Sequence, residues 1–252
     1  MFNRRTLLCG GLLAVIQHDC PCSLAETSAF SGAGCEMDEG SARTILEASS
    51  TTAAFMPGAE TMTHSSGNKQ FDFALAQSLA RMSEAFQVLP AFAFFREPQG
   101  PNAHAATHKL NRSDGTVLFG FQLLKYLFSM KEHPDVATSA VCAHEFAHIL
   151  QFKRNITPIL ARDPTVRRLE LHADFMSGYF AGLSKRRKPD YPAAVVANIA
   201  RLHGDNQKQS RQHHGTSEER SAAVVKGFEL GYAGNAQLDD VVQSGIAFVS
   251  QV

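Results

Sequence analysis

Val141-Cys142-Ala143-His144-Glu145-Phe146-Ala147-His148-Ile149 is the stretch that decides how the rest of the chain is read. Its centre is an H-E-x-x-H motif inside the strongly apolar run Asp135–Lys153, whose length and spacing predict a helix. On a helix, His144 and His148 stand at i and i+4, on one face and one turn apart. Both imidazoles can then reach a single metal ion. Glu145 lies about 100° round the helix from His144, within reach of a water beside that metal without being a ligand itself. Without a metal, the two histidines would be buried polar groups in need of other partners.

A structural zinc site takes four protein ligands, whereas a catalytic one takes three and keeps a position open. The third ligand has to come from elsewhere in the chain, and Glu170-Leu171-His172-Ala173-Asp174 offers one. On a helix Glu170 and Asp174 are about 40° apart, while His172 points about 200° from Glu170. Two carboxylates on one face of this helix would then oppose two imidazoles on the first. Glu170 is placed as the third ligand and Asp174 as the acceptor for the free ring N–H of a ligand histidine. The competing arrangement makes His172 the ligand and leaves Glu170 and Asp174 as a solvated face.

Working outward, the 252 residues carry 24 basic and 24 acidic side chains, and 44% of them are hydrophobic. That balance excludes collagen-like, disulfide-dense and wholly disordered chains, and it removes the electrostatic reason to expect a nucleic-acid partner. The longest apolar stretch, Leu7–Ile16, is well short of the roughly 20 residues of a membrane span. It follows Arg4-Arg5 and precedes Ser23-Leu24-Ala25, so residues 1–25 read as an export signal, with a paired arginine similar to a twin-arginine leader. Cleavage after Ala25 removes Cys9, Cys20 and Cys22 and leaves Cys35 and Cys142. Those two can form one bridge. However, Cys142 sits on a face that should be buried, where a small hydrophobe is the expected role.

Residues 26–69, rich in Ser, Thr, Ala and Gly, read as a flexible leader. Helical spacing begins at Phe71 and runs to Leu89, before Pro90. Ala91–Phe95 and Thr116–Phe119 are predicted strands, and Phe121–Met130, Thr165–Leu183, 192–203, 216–230 and 236–250 are predicted helices. The Lys185-Arg186-Arg187-Lys188 run reads as a solvated turn after a helix. The expected fold is α+β, one mostly helical domain over 70–252 with a small sheet beside the metal-binding helix.

His144-Glu145-Phe146-Ala147-His148 followed by Glu170-Leu171-His172-Ala173-Asp174 resembles the gluzincin peptidases, in which the Glu of an E-x-x-x-D motif is a zinc ligand. Asn102-Ala103-His104-Ala105 and Gly115–Gly120 resemble the segment preceding the zinc helix in the CaaX prenyl proteases and their soluble relatives. Glu170–Phe180 is similar to the matching helix of the bacterial neutral zinc metallopeptidases, and His214–Arg220 with Gly227-Phe228-Glu229 resembles their C-terminal part. This chain lacks the membrane spans of the CaaX enzymes, so their prenyl-protein substrate does not carry over.

The resemblance implies a zincin-like domain that hydrolyses peptides with one Zn²⁺ on His144, His148 and Glu170 and with Glu145 as general base. By the same likeness His214 hydrogen-bonds the oxyanion, while Arg220 anchors its segment or pairs with a carboxylate such as Asp174. The opposing reading of His214 is a surface His-His pair, with His213 as its exposed neighbour. A peptide substrate can pair with the strand at 116–119 if that strand edges the cleft. The expected setting is periplasmic or secreted, with a peptide or protein partner, no nucleic acid, and no transmembrane anchor once the signal is removed. Two other functions stay open. One is zinc-dependent hydrolysis of a non-peptide substrate, and the other is a non-catalytic binding or chaperone-like role on the same scaffold. A carboxylate beside the water speaks against the last.

Overall fold

Three short runs of small and aromatic residues make the centre of the sheet. In this computed structural model, which describes residues 36–37, 53–54, 66–97, 100–110 and 112–252, they are β3 (Ala91–Phe95), β4 (Ala103–Ala106) and β5 (Thr116–Gly120). Two-residue strands β1 (Glu36–Met37) and β2 (Ala53–Ala54) flank them, giving the order β1-β4-β5-β3-β2. The segment read as an export signal, most of the segment read as a leader and Cys35 lie outside the described residues. β3 runs parallel to β5, with Phe92 opposite Val117, and β4 runs antiparallel to β5, with Ala103 opposite Phe119. Strand alternation sends Phe92, Phe94, Ala103, Val117 and Phe119 into the main core. Ala93, Phe95, Ala106 and Leu118 form a small cluster on the opposite face.

Helices pack on the main face. They are α1 (Lys69–Phe86), α2 (Phe121–Ser129), α3 (Pro134–Lys153), α4 (Thr157–Leu160), α5 (Arg167–Arg187), α6 (Ala194–Leu202), α7 (Ser217–Ala233) and α8 (Leu238–Val249). The chain is therefore α+β and mostly helical, with a core that runs from Leu75 to Val249. Among the described residues, no helix is long and apolar enough to cross a membrane.

Asn68 starts α1 by accepting the Gln70 and Phe71 amides, and Gln87, with φ of 52°, ends it before the stripe reaches Leu89. Glu97 occupies the N-terminus of α2, where its carboxylate accepts the Gln122 and Leu123 amides at 2.9 and 2.8 Å. Gly120 has to be a glycine, because a Cβ there would overlap that carboxylate. This cap fixes Leu123, one of the residues at the cleft described below.

α3 is buried from Val136 through Gln151, on every face, so it is the central helix of the domain. α5 crosses it and then meets α7 at backbone distance. A Cβ on Gly178 would overlap the Val224 carbonyl, and one on Gly227 would overlap the Phe175 carbonyl. Small residues four apart on both helices, with Gly182 and Gly231 one turn further on, allow this approach. The contact holds the α7 end that carries Arg220 against the α5 end that carries Glu170 and Asp174.

Four features differ from the sequence reading. β4 is a strand that its Ala-rich run does not announce, because Ala has weak strand preference and the pairing with β5 imposes the conformation. α4 is a further short helix. The basic run is not a turn after a helix. Lys185, Arg186 and Arg187 form the last turn of α5, where cations suit the helix end, and Lys188 is the cap. Finally, β5 lies between β3 and β4, so both its edges are paired and no peptide can add to it.

Candidate metal centre

The i,i+4 spacing on α3 places the His144 and His148 rings at 84° to each other, with centroids 4.8 Å apart. Their Nε2 atoms face each other at 3.2 Å. Glu170, in the first turn of α5, points its carboxylate at the same spot, 3.3 Å from His144 Nε2 and 3.5 Å from His148 Nε2. All three residues are buried, and their donor atoms lie within 4.8 Å of one another.

The hydrogen bonds on the far side of each ring decide what meets in the middle. His144 Nδ1 lies 2.9 Å from Asp174 Oδ1, and His148 Nδ1 lies 2.9 Å from Gln151 Oε1. Both partners are acceptors, so each imidazole carries its proton on Nδ1 and turns a bare lone pair inward. Two lone pairs and a carboxylate converging at this distance repel one another unless a cation or a proton sits among them. Ligands about 2.0–2.1 Å from one tetrahedral zinc stand about 3.3 Å apart, and the three observed separations bracket that value. The residues fit the ion. Burial pulls the His148 pKa down to about 4, so its ring is neutral at ordinary pH. Burial pushes Glu170 up, but its contacts with His144 and His148 and the Arg220 guanidinium outweigh it and hold the carboxyl well below its usual range.

Asp174 is buried and paired with Arg220 through two parallel bonds. Arg220 Nε donates to Oδ2 at 2.6 Å and Nη2 to Oδ1 at 3.0 Å. Nη1 donates to the His203 carbonyl at 3.0 Å, and Nη2 stands 3.6 Å from Glu170. The same guanidinium thus braces both carboxylates of α5. Burial raises the Asp174 pKa, but the Arg220 charge and the His144 hydrogen bond overcome this and lower it. Because the folded value is depressed, the stabilisation is present above the ordinary carboxylate pKa and is lost as pH falls through the folded one. Arg220→Met is expected to destabilise the fold by about 3–5 kcal/mol, by leaving a buried carboxylate without its counter-charge. Arg220→Lys should recover little of this, since an ammonium cannot make the fork. Urea unfolding checks both, and a loss under about 1 kcal/mol for Arg220→Met would refute the brace.

A cleft opens beside His144. His144 and Glu145 lie at its polar end, and Leu123, Val141, Val196, Ile199 and Ala200 make an apolar wall. Asn102 and Ala103, at the start of β4, line another side. Glu145 is 1% exposed, lines the cleft beside His144 and is not one of the three converging donors.

His172, the competing ligand, is turned away. Its Nδ1 meets the Gln151 amide at 3.2 Å, and its ring lies against α8, 3.0 Å from where a Cβ on Gly245 would stand. Glu170 and Asp174 do not form a solvated face, being 1% and 2% exposed. Cys142 is a free thiol, fully buried, and burial followed by the Glu145 charge pushes its pKa up.

His214 is half-buried and lines the cleft, while its main-chain amide donates to Asp205 at 2.8 Å. His213 is not the exposed neighbour. It is 3% exposed, with Nδ1 2.6 Å from Asp205 Oδ1, because Asp205 ties the whole loop down through both residues. Thr216 caps α7 and forms a reciprocal box with Glu219, which fixes the distance from this loop to Arg220. Two residues of the site, one in the cleft and one behind His148, escaped the sequence reading. His203, whose pKa burial and the Arg220 charge lower to about 3, stands at the end of α6 with no spacing relation to the motif. Gln151 follows His148 by three residues, a helical neighbour position that is a usable signal. No family model, curated protein or solved structure matches this chain.

Proposed function

We propose that this chain is an exported zinc metallopeptidase with a gluzincin-type ligand set on a zincin-like domain. The observation that carries the reading is the convergence of two imidazole Nε2 atoms and a carboxylate at tetrahedral-edge separations, with Glu145 beside them in a cleft. Zn²⁺ held by His144, His148 and Glu170 would supply Lewis acidity toward a carbonyl and lower the pKa of a water to about 7. Glu145 takes the proton of the attacking water and delivers it to the leaving amine. Asp174 and Gln151 keep the two imidazoles in the ligand tautomer, and Arg220 holds Asp174 and Glu170 in place. Metal analysis together with turnover of a quenched peptide library tests the reading. One zinc per chain with chelator-sensitive cleavage is the expected result. Zinc without any peptide turnover would move the protein to the non-peptide hydrolases or to binding proteins.

A peptide substrate is favoured over other carbonyl compounds by β4. The outer side of this strand meets β1 only at Ala105 and Ala106 among the described residues, while its Asn102–Ala103 end lines the cleft. The Ala103 amide donates to Asn102 Oδ1 at 2.9 Å, a bond that an incoming peptide carbonyl can take over. An extended substrate therefore adds to β4, not to β5.

His214 is the second donor to the oxyanion in this reading, aided by a loop that Asp205 makes rigid. His214→Ala should lower kcat about a hundredfold with zinc retained, in line with the loss of one such donor. The exposed Gln212 replaces His213 as control, since His213 is part of the loop's anchorage. Equal, small effects of His214→Ala and Gln212→Ala would remove the role. Export belongs to the same proposal: the mature chain should begin at Glu26. Mass spectrometry of the extracytoplasmic protein reads this directly, and an intact Met1–Ala25 segment on active cytoplasmic protein would refute it.

A further inference from the structure

Gln151 touches both halves of the metal centre and is assigned no task by the hydrolytic reading beyond holding a tautomer. It is fully buried, and its side chain has three partners on two helices. Oε1 lies 2.9 Å from His148 Nδ1, Nε2 donates to the Leu169 carbonyl at 2.9 Å, and Nε2 lies 3.2 Å from His172 Nδ1. The three contacts are not independent. A main-chain carbonyl can only accept, so the amide nitrogen has to face Leu169. That orientation leaves Oε1 for His148, which must then carry its proton on Nδ1 and keep Nε2 bare. The second amide hydrogen faces His172 Nδ1, which must accept and so carries its own proton on Nε2. Leu169 directly precedes Glu170, so the same amide sets the position of α5 where the third ligand leaves it.

We infer that Gln151 is a positioning residue that makes metal-binding competence conditional on the docking of α5 against α3. The Leu169 carbonyl orients the amide, the amide selects the His148 tautomer, and the same contact holds Glu170 at the site. With the amide reversed, its NH₂ would face His148 Nδ1 and force the proton onto Nε2, the atom meant for the metal. The arrangement also sorts two histidines, making His148 a ligand and turning His172 into a receiver of the same amide. The inference rests on the metal-site part of the proposed function and not on peptide hydrolysis.

The test has two readouts, neither of them catalysis. Long-range ¹H–¹⁵N spectra of the mature, metal-free wild-type protein at pH 8 should show His148 as the Nδ1–H tautomer and His172 as the Nε2–H tautomer. Finding His148 with Nε2–H or His172 with Nδ1–H would overturn the inference without any variant. The second readout is the Zn²⁺ dissociation constant, from competition with a chromophoric chelator. Gln151→Met removes all three contacts and should weaken zinc binding about 10–100-fold, the range for partners that orient ligand histidines. Gln151→Glu keeps an acceptor for His148 and should bind zinc at least fivefold more tightly than Gln151→Met, though its apo form is less stable. A merely structural role would lower the melting temperature of both variants while leaving their zinc constants within threefold of wild type, and that result would overturn the inference. If neither variant folds, the wild-type tautomers decide alone. Correct tautomers with zinc bound and no peptide cleaved would uphold Gln151 and reject only the peptidase reading.

Discussion

Glu145→Gln should retain both zinc and fold and lose hydrolysis by about a thousandfold, within the usual 10²–10⁴ contribution of a general base. The amide has nearly the same volume as the carboxylate, and α3 is too tightly buried to tolerate a change of shape. What differs is that an amide oxygen cannot take a proton from water at neutral pH. Glu145 is not among the converging donors, so the metal should remain at full occupancy. Burial also limits the ways water can reach the site around the substituted side chain, since Glu145 is 1% exposed. The measurement is kcat/KM on a cleaved peptide beside metal content and a thermal melt. Residual activity within tenfold of wild type, at unchanged zinc content, would remove Glu145 as the base. A drop in zinc equal to the drop in activity would place it among the ligands instead.

The parts of this site that were legible in the sequence are those governed by one helix at a time. The angular arithmetic of α3 and α5 fixes that His144 and His148 share a face, that Glu170 and Asp174 share another, and that His172 leaves it. Each of these relations recurs in the structure at hydrogen-bond distance. What one helix cannot report is which distant segment is folded back over it. His203 reaches the cleft because α6 ends beside it, and nothing in its local sequence encodes that return, whereas His214 was readable only through the likeness of its segment to a known family. The burial of His213 is hidden for the same reason, since it depends on Asp205 and on the loop closing. Glycines mislead in the opposite direction. Inside a helical pattern Gly178, Gly182, Gly227 and Gly231 read as weak points, each costing about 1 kcal/mol relative to Ala. In the structure they are where α5 and α7 touch, and that contact sets the reach of Arg220. The basic end of α5 shows a related limit. Three consecutive cations look like a turn when read for polarity, yet they complement the negative end of a helix as well as any loop.

Glu170→Ala should abolish stoichiometric zinc binding, whereas His172→Ala should leave at least about nine-tenths of it. The two residues are two positions apart on α5, so any damage to that helix falls on both variants, and their difference isolates ligation. Removing the Glu170 carboxylate takes away the one negative donor and leaves His144 and His148 as a two-ligand site, short of the three protein ligands of a catalytic zinc. It also strips Arg220 of a carboxylate 3.6 Å away, but the fork on Asp174 remains, so the fold should survive. The His172 ring contributes to packing against α8 and accepts from Gln151, and neither contact supplies an atom to the metal. Its loss should therefore appear as a lower melting temperature with zinc still bound. Glu170→Gln sharpens the comparison, because it preserves shape and one neutral oxygen while deleting the charge. Zinc affinity should then fall in the order wild type, Gln, Ala. Elemental analysis giving full zinc in Glu170→Ala and none in His172→Ala would exchange the two assignments and return Glu170 and Asp174 to a purely electrostatic role beside Arg220.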